Sequence, residues 1–444
     1  MFTLHESKGG VHPPQCKDLR DSARTRVPAP KRVCIPLNMH IGGPDAPVVK
    51  EGDHVYVGTL IGDGQGLYAP IHASVSGKVT FTGTKKLATG QTTAVVEIES
   101  DGKMEADPSL TVPSYSDTAG FIDAVRASGM VGLGGASFPT WFKMRAPKGQ
   151  SFEYLVINGM ECEPYITSDF RLMVEDPELV VSGVHRAAEA LGIPAAVIGV
   201  EDNKPEAVEK LDAVIKEKGW ADTLQVLSIP TKYPAGGEKV LIHETTGRDV
   251  PAGGLPSNCG CLVVNVTTIS KLETYFRTGM PLVDKTVTVT GDCIAKPGNY
   301  IVPVGMSVHE VIDAAGGFTK DPKKVIMGGP MMGRTITSTD CPILKANNAI
   351  LALHDQGALP EETPCIRCGR CVRACPLGLE PFALDAASRR HDVVALDDLA
   401  VMNCMSCGCC AYVCPAHRRI TASIAEGKAV YKGETKRLSM PKEA

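Results

Sequence analysis

The sequence predicts a multidomain protein of mixed α/β and α+β class that ends in a cysteine-rich module. Three observations carry this expectation. The chain has 444 residues, a length that suggests three or four domains. Its local pattern changes from short β-runs to strands alternating with helices, and then to a small mixed unit. Nine of the sixteen cysteines lie between Cys365 and Cys414, and such clustering reads as metal ligation.

Residues 1–30 are polar and proline-rich and read as an extended arm. Residues 31–112 hold short β-runs broken by glycine and aspartate, with alternation at His54–Val57 and Ala94–Ile98, which predicts a small all-β module. Residues 113–270 open with a helix near Phe121–Ser128 and a glycine-rich loop, Gly132 to Ser137. Strands Tyr154–Asn158, Ala195–Val200, Leu224–Ile229 and Cys261–Val266 then alternate with helices near Pro177–Leu191 and Pro205–Lys218, which predicts a parallel, helix-covered sheet. Residues 271–350 form a small α+β unit, with strands at Val287–Thr290 and Lys324–Met327 and a capping box at Ser307 and Glu310. Residues 351–430 are cysteine-rich and short-helical, and 431–444 are a tail.

Composition excludes several classes. The net charge is −4, so no global basic surface awaits nucleic acid. The longest apolar runs, such as Cys261–Val266, fall far short of the ~20 residues of a membrane helix. Met1–Gly10 lacks the apolar stretch of a secretory signal. The expectation is a cytoplasmic chain whose membrane attachment comes through partners, in a compartment that disfavours disulfides.

Cys365, Cys368, Cys371 and Cys375-Pro376 have the spacing C-x2-C-x2-C-x3-C-P, and Cys404, Cys407, Cys410 and Cys414-Pro415 repeat it. In such runs the first three thiolates hold one cubane and the fourth reaches to the other. One [4Fe–4S] cluster is therefore assigned to Cys365, Cys368, Cys371 and Cys414, and the other to Cys404, Cys407, Cys410 and Cys375. Two structural zinc sites would have no use for a fourth Cys followed twice by Pro. Adjacent clusters imply one-electron relay.

The loop Gly132-Leu133-Gly134-Gly135-Ala136-Ser137 could bring backbone N–H groups to a phosphate, or be a plain turn. It fails the dinucleotide fingerprint, because Ser137 replaces the last glycine and a helix precedes it. Lys143 follows at a distance suited to meeting phosphate or a flavin ring. Asn158-Gly159-Met160-Glu161-Cys162-Glu163-Pro164 ends a strand, at the edge where open α/β sheets bind ligands. With the turn Tyr233–Glu238, three irregular loops converge on one edge and suggest a nucleotide or flavin crevice.

These segments, Gly132–Lys143 (GLGGASFPTWFK), Asn158–Pro164 (NGMECEP), Tyr233–Glu238 and Val264–Thr268 (VNVTT), resemble the flavin- and NADH-binding subunit of respiratory complex I. The stretch Val49–Val79 resembles a biotinyl/lipoyl-type β-barrel but lacks a carrier lysine, so it reads as a docking element. Residues 285–335 resemble a soluble-ligand-binding β-grasp (SLBB) module. With the Lys8–Pro14 segment and the two ferredoxin motifs, this order is similar to the RnfC family of ion-translocating electron-transport complexes. The resemblance implies FMN held by Gly132, Gly134, Lys143, Asn158, Tyr233, Gly236, Asn265 and Thr268. It implies NAD(H) near Phe138, Glu163 and Glu238, with Glu163 as the catalytic residue. It further implies a peripheral, NAD(H)-facing location at the cytoplasmic face of the cell membrane. Its partners would be other subunits that move Na+ or H+, with ferredoxin reached through one of them. Leu133, Tyr165 and Gly237 depart from the complex I pattern, which has Arg, Gly and an acid there. A soluble flavin/iron–sulfur cobalamin reductase and a flavin-free relay protein are the alternatives.

Of the remaining cysteines, Cys16, Cys34, Cys259, Cys261, Cys293 and Cys341 read as structural, Cys162 could tune a flavin, and Cys409 breaks the ligand spacing. The basic groups Arg24–Arg32 and Arg418-Arg419 read as solvated faces.

Overall fold

A computed structural model describes residues 2–87, 90–135, 137–354 and 360–439. Ala136 of the glycine-rich loop, residues 355–359 at the start of the cysteine-rich module, and the last five residues of the expected tail lie outside the described residues.

The N-terminal β-module consists of two small antiparallel sheets. One has the order Arg32–Pro36, Thr92–Ser100, Gly77–Lys86, His54–Val55, and the other Ala46–Pro47, Leu60–Asp63, Ile71–His72. Alternation along each strand turns Val33, Ile35, Ile61, Ile71, Val79 and Ile98 into one shared core.

The α/β domain has four parallel strands in the order Leu224–Ile229, Ala195–Glu201, Tyr154–Asn158, Cys261–Asn265. Their apolar runs are those of a sheet covered on both faces. The register sets Asn158 opposite both Gly199 and Asn265, so two asparagines share the carboxyl edge. Helix Pro177–Leu191 starts on proline and ends at Gly192 with φ +64°, the usual stop signal. A helix that the sequence reading does not expect, Val266–Thr278, follows the last strand. It buries Ile269, Leu272, Tyr275 and Phe276 in the α/β core, so this domain runs past the expected boundary at 270.

The next module is a six-stranded mixed sheet in the order Arg24–Arg26, Gly298–Pro303, Asp284–Thr290, Ala349–Leu353, Lys324–Met327, Arg334–Ile336. Helix Val308–Ala314 packs on it, and Ser307 Oγ caps that helix by accepting from Glu310 N at 3.1 Å. Two expected boundaries are corrected. The arm does not stay separate but adds Arg24–Arg26 as a parallel edge strand. Ala349–Leu353 crosses residue 350 because it is the strand between Asp284–Thr290 and Lys324–Met327.

The cysteine-rich module is helical, and its final helix Ile420–Ser439 extends well beyond the expected end at 430. It packs on Pro381–Arg389 with Gly427 at the crossing, where a Cβ would lie 2.2 Å from Ser388 Oγ.

A buried ionic group underlies the acidic loop. Lys17 of the arm donates to three carbonyls, Glu161 O, Glu163 O and Ile166 O, at 2.7, 2.8 and 2.6 Å. Burial lowers its pKa. The Glu161 carboxylate accepts from Asp169 N at 2.7 Å and Phe170 N at 3.3 Å. It thereby caps helix Ser168–Glu175, a task that the N-terminal Thr167 side chain does not perform. Burial pushes the Glu161 carboxyl up to about 7.

Two outcomes are expected. Gly183, on helix Pro177–Leu191, lies against helix Val266–Thr278, and a Cβ there would sit 2.6 Å from Ile269 O. Gly183→Val should therefore destabilise by roughly 1–3 kcal/mol, read as a lower thermal midpoint than the parent. For Glu161, the folded protein keeps a proton between about 4.5 and 7 that the unfolded chain has lost. Its stabilisation is complete below that window and is lost as pH rises through it. Glu161→Gln should gain on the parent by up to about 3 kcal/mol between pH 4.5 and 8; an offset independent of pH would count against this.

Candidate functional site

The two cysteine runs share one backbone design. Arg367 and Gly369 in the first, and Ser406 and Gly408 in the second, take positive φ values of 53°, 71°, 56° and 88°. These residues curl each loop back on itself before a short helix, Arg370–Ala374 or Cys409–Tyr412. The curl points an amide at the first thiol of each run: Arg367 N donates to Cys365 Sγ, and Ser406 N to Cys404 Sγ, both at 3.4 Å. Leu379 N donates to Cys375 Sγ at 3.4 Å. Amides directed at sulfur suit thiolate ligands and raise a cluster's potential.

Cys375, Cys404, Cys407, Cys409 and Cys410 line one cavity, together with apolar side chains including Leu377, Leu379, Leu384 and Ile424. This cavity joins the fourth cysteine of the first run to the three regularly spaced cysteines of the second and to Cys409, which breaks that spacing. Among the described residues no three His, Cys, Asp or Glu side chains converge on a point for a single ion; the thiols are instead distributed around the cavity wall. Soft donors set around a dry space fit an iron–sulfur cluster. Of the other tetrad, Cys365 and Cys368 are exposed, Cys414 is half-buried and Cys371 is buried. Cys409 directs its thiol to Tyr233 O at 3.8 Å.

The crevice at the sheet edge has two walls. The first is the glycine-rich loop, closed by Gly132 N to Phe138 O at 2.8 Å and Ser137 N to Gly132 O at 3.1 Å. Leu133 N donates to Thr268 Oγ1 at 2.9 Å, and Leu133 O accepts from Lys285 Nζ at 2.5 Å. Burial lowers Lys285 to about 7. Gly134 lies so close to Asn265 that a Cβ would stand 3.3 Å from its amide nitrogen. Gly134 and Gly135 are exposed, and their N–H groups have no acceptor among the described residues. That leaves two consecutive donors for an anion. Asn265 caps helix Val266–Thr278 through its Oδ1 and donates to Asp169 Oδ2 at 2.8 Å. Phe138 sits edge-on to Phe142, with ring centroids 5.9 Å apart.

The second wall joins the strand end to the Tyr233–Glu238 turn. Asn158 Nδ2 donates to Gly236 O at 2.8 Å. A Cβ at Gly236 would meet Met160 O at 2.6 Å. Lys143 is ion-paired with Glu238, which ties the two walls together. Tyr233 is 1% exposed and donates its hydroxyl to Cys407 O at 2.7 Å. A Cβ at Gly237 would stand 2.2 Å from Met405 Cε, so the end of that side chain from the cysteine loop packs directly on the turn.

The structure thus gathers Gly132, Gly134, Asn265 and Thr268 in one wall and Asn158 and Gly236 in the other, with Lys143 and Glu238 between them. Two expected residues face elsewhere. Tyr233 turns to the cysteine loop. Glu163 turns to the six-stranded module, where Met331 N and Met332 N donate to its Oε1 at 2.6 and 3.1 Å. Burial raises the Glu163 pKa, and those two amides oppose the rise. Burial also holds the Cys162 thiol up at about 12.

Lys17, Lys285, Asp169 and the Gly328–Gly333 loop were not anticipated. A signal existed for two of them. Gly328-Gly329-Pro330 is turn punctuation directly after a strand. Lys285 is a charge within the β-run of Asp284–Thr290.

Four domain families match the chain. They are the RnfC barrel sandwich hybrid domain over 5–103, the Nuo51 FMN-binding domain over 125–274, the SLBB domain over 286–335 and the 4Fe-4S dicluster domain over 364–417. The RnfC-type component of the Na(+)-translocating ferredoxin:NAD(+) oxidoreductase complex of Acetobacterium woodii is 41% identical over 394 residues, covering 86% of this chain and 87% of that one. Its counterpart in the proton-translocating ferredoxin:NAD(+) oxidoreductase complex of Clostridium ljungdahlii is 39% identical, covering 87% and 85%. The counterpart in the ion-translocating oxidoreductase complex of Rhodobacter capsulatus is 38% identical, covering 89% and 77%. A crystal structure of the NAD+-reducing [NiFe]-hydrogenase in its air-oxidized state matches the fold with TM-score 0.51 at 20% identity, covering 74% of this chain and 68% of that one. With the barrel, the crevice, the mixed sheet and the paired cysteine runs in this order, the chain belongs to the RnfC family of ion-translocating oxidoreductase complexes.

Proposed function

We propose that this chain is the NAD(H)-facing peripheral subunit of a membrane-bound ferredoxin:NAD+ oxidoreductase complex. It passes electrons between NAD(H), FMN and two [4Fe–4S] clusters, and partner subunits couple that flow to Na+ or H+ movement. It sits at the cytoplasmic face of the membrane, held there by those partners; no helix among the described residues is long and apolar enough to cross a membrane. The observation that carries this reading is the shared wall between crevice and cysteine cavity. The turn that bonds Asn158 also donates Tyr233 Oη to Cys407 O and packs Gly237 against Met405.

FMN supplies the exchange between two-electron hydride chemistry and one-electron chemistry when bound. The chain's own residues position it. Gly134 and Gly135 offer N–H groups to its phosphate. Thr268 and Lys285 fix the Leu133 peptide from both sides, so the loop holds its shape before the ligand arrives. Asn158 and Asn265 set the depth of the crevice at the carboxyl edge. Lys143 and Glu238 lie at its mouth, where either partner can turn to a dinucleotide. Glu163, held by the Met331 and Met332 amides, points to the six-stranded module and anchors the acidic loop there. One tetrad of thiols, Cys375, Cys404, Cys407 and Cys410, holds the cluster nearer the crevice, and Cys365, Cys368, Cys371 and Cys414 hold the other.

Anaerobically purified protein should carry about eight iron atoms, eight sulfides and one FMN per chain. NADH should bleach the flavin absorbance within a stopped-flow trace. Lys285→Met removes the grip on Leu133 O while keeping the side chain's volume, and should lower flavin retention roughly tenfold with iron content unchanged. Iron–sulfur protein that never binds flavin would leave only the relay reading standing.

A further inference from the structure

The arginines of the cysteine-rich module differ in their partners. Arg389 pairs with Glu362 and Asp385, Arg418 with Asp385, and Arg390 with Asp392. Arg367, Arg370 and Arg373 are exposed and have no carboxylate partner among the described residues. All three lie in the twelve-residue run Cys365–Pro376 (CIRCGRCVRACP), which contains no acidic residue. A local charge of this sign stands out in a chain whose net charge is −4.

Apolar groups stand beside these guanidiniums. Ile366, between two cysteines of the first tetrad, is 68% exposed, and Tyr412 is 49% exposed. An open cleft passes between Tyr412 and the arm, lined by Arg370, Arg373, Tyr412, Cys414 and Gly10. The surface therefore places an exposed aliphatic, an exposed tyrosine and unpaired arginines around the tetrad whose Cys365 and Cys368 reach solvent. The other tetrad lines a cavity inside the module. Tyrosine and arginine are the residues that interfaces favour. Uncompensated positive charge around a redox centre steers an oppositely charged carrier to it.

We infer that this face docks the acidic surface of a one-electron-carrying subunit of the same complex, and that electrons cross the protein–protein boundary at the Cys365, Cys368, Cys371 and Cys414 tetrad. The step is one electron between two metal centres, with no bond made or broken. This inference rests on the electron-transfer reading above and adds the place and chemistry of the partner. Exposure explains the division of labour. Electron transfer weakens steeply with distance, so the tetrad nearer solvent is the one a second protein can approach, while the cavity tetrad faces the crevice through Tyr233 and Cys407.

The whole complex, purified anaerobically, provides the test. With Arg370→Glu/Arg373→Glu in this chain, ferredoxin-driven NAD+ reduction should fall roughly tenfold or more at low ionic strength. The parent's rate should drop with added salt, and the variant's should not. Iron content and NADH bleaching of the flavin should match the parent. Arg370→Lys/Arg373→Lys keeps the charge and adds amines. Treated with a carbodiimide, it should form a covalent adduct through Asp or Glu of one neighbouring subunit, whereas Arg334→Lys, on the edge strand Arg334–Ile336, should not. Parental turnover and salt response in the Glu variant would overturn the inference. So would a rate loss that tracks a shifted cluster potential while the Lys variant forms no adduct. Failure of NADH to bleach the parent's flavin would instead overturn the NAD(H) reading and leave a positive adduct intact.

Discussion

Three buried lysines hold the modules to one another, and each donates its amine to backbone carbonyl oxygen. Lys17 of the arm takes Glu161 O, Glu163 O and Ile166 O. Lys285 takes Leu133 O. Lys345 takes Pro70 O and Gly129 O, each at 2.8 Å, bridging the barrel and the α/β domain. A buried amine left without acceptors costs free energy whether or not it is charged, so each lysine fixes the relative placement of the elements whose carbonyls it meets. Two of the three loops fixed in this way are walls of the crevice. The geometry of the crevice is therefore a property of the whole assembly, and the α/β domain alone does not contain it.

Much of the architecture was legible because short-range rules govern it. Strands Tyr154–Asn158 and Leu224–Ile229 and helix Pro177–Leu191 fall at the expected residues, since apolar runs, an opening proline and a closing glycine mark them locally. Helix Val266–Thr278 escaped notice because two threonines follow a β-branched strand, and only Asn265 as its cap marks the change. The length of the last helix depends on Gly427 fitting against Ser388, a contact between distant segments that no local pattern encodes.

The candidate site divides the same way. The motif's geometric rule expects Cys375 to join the second run, and the cavity lining places it there. The crevice residues came from resemblance, and the surrounding modules have altered what they do. Gly237 stands where the resembled family has an acid, and the end of the Met405 side chain packs against it. Tyr165 stands where that family has glycine and retains the left-handed backbone, with φ +70°, while its ring packs against Ile326, Leu351 and Leu353. Tertiary packing there offsets the local strain.

The arm has a kinetic implication. Gly9 fits against the Cys375 peptide, where a Cβ would stand 2.6 Å from its carbonyl, and Gly10 N donates to Ala374 O at 3.0 Å. The arm is thus completed by a segment that the ribosome makes much later. Until the ribosome has delivered the cysteine run, these amides have only water to bond. Closure over so long a stretch of chain makes this fastening a slow and late step of folding.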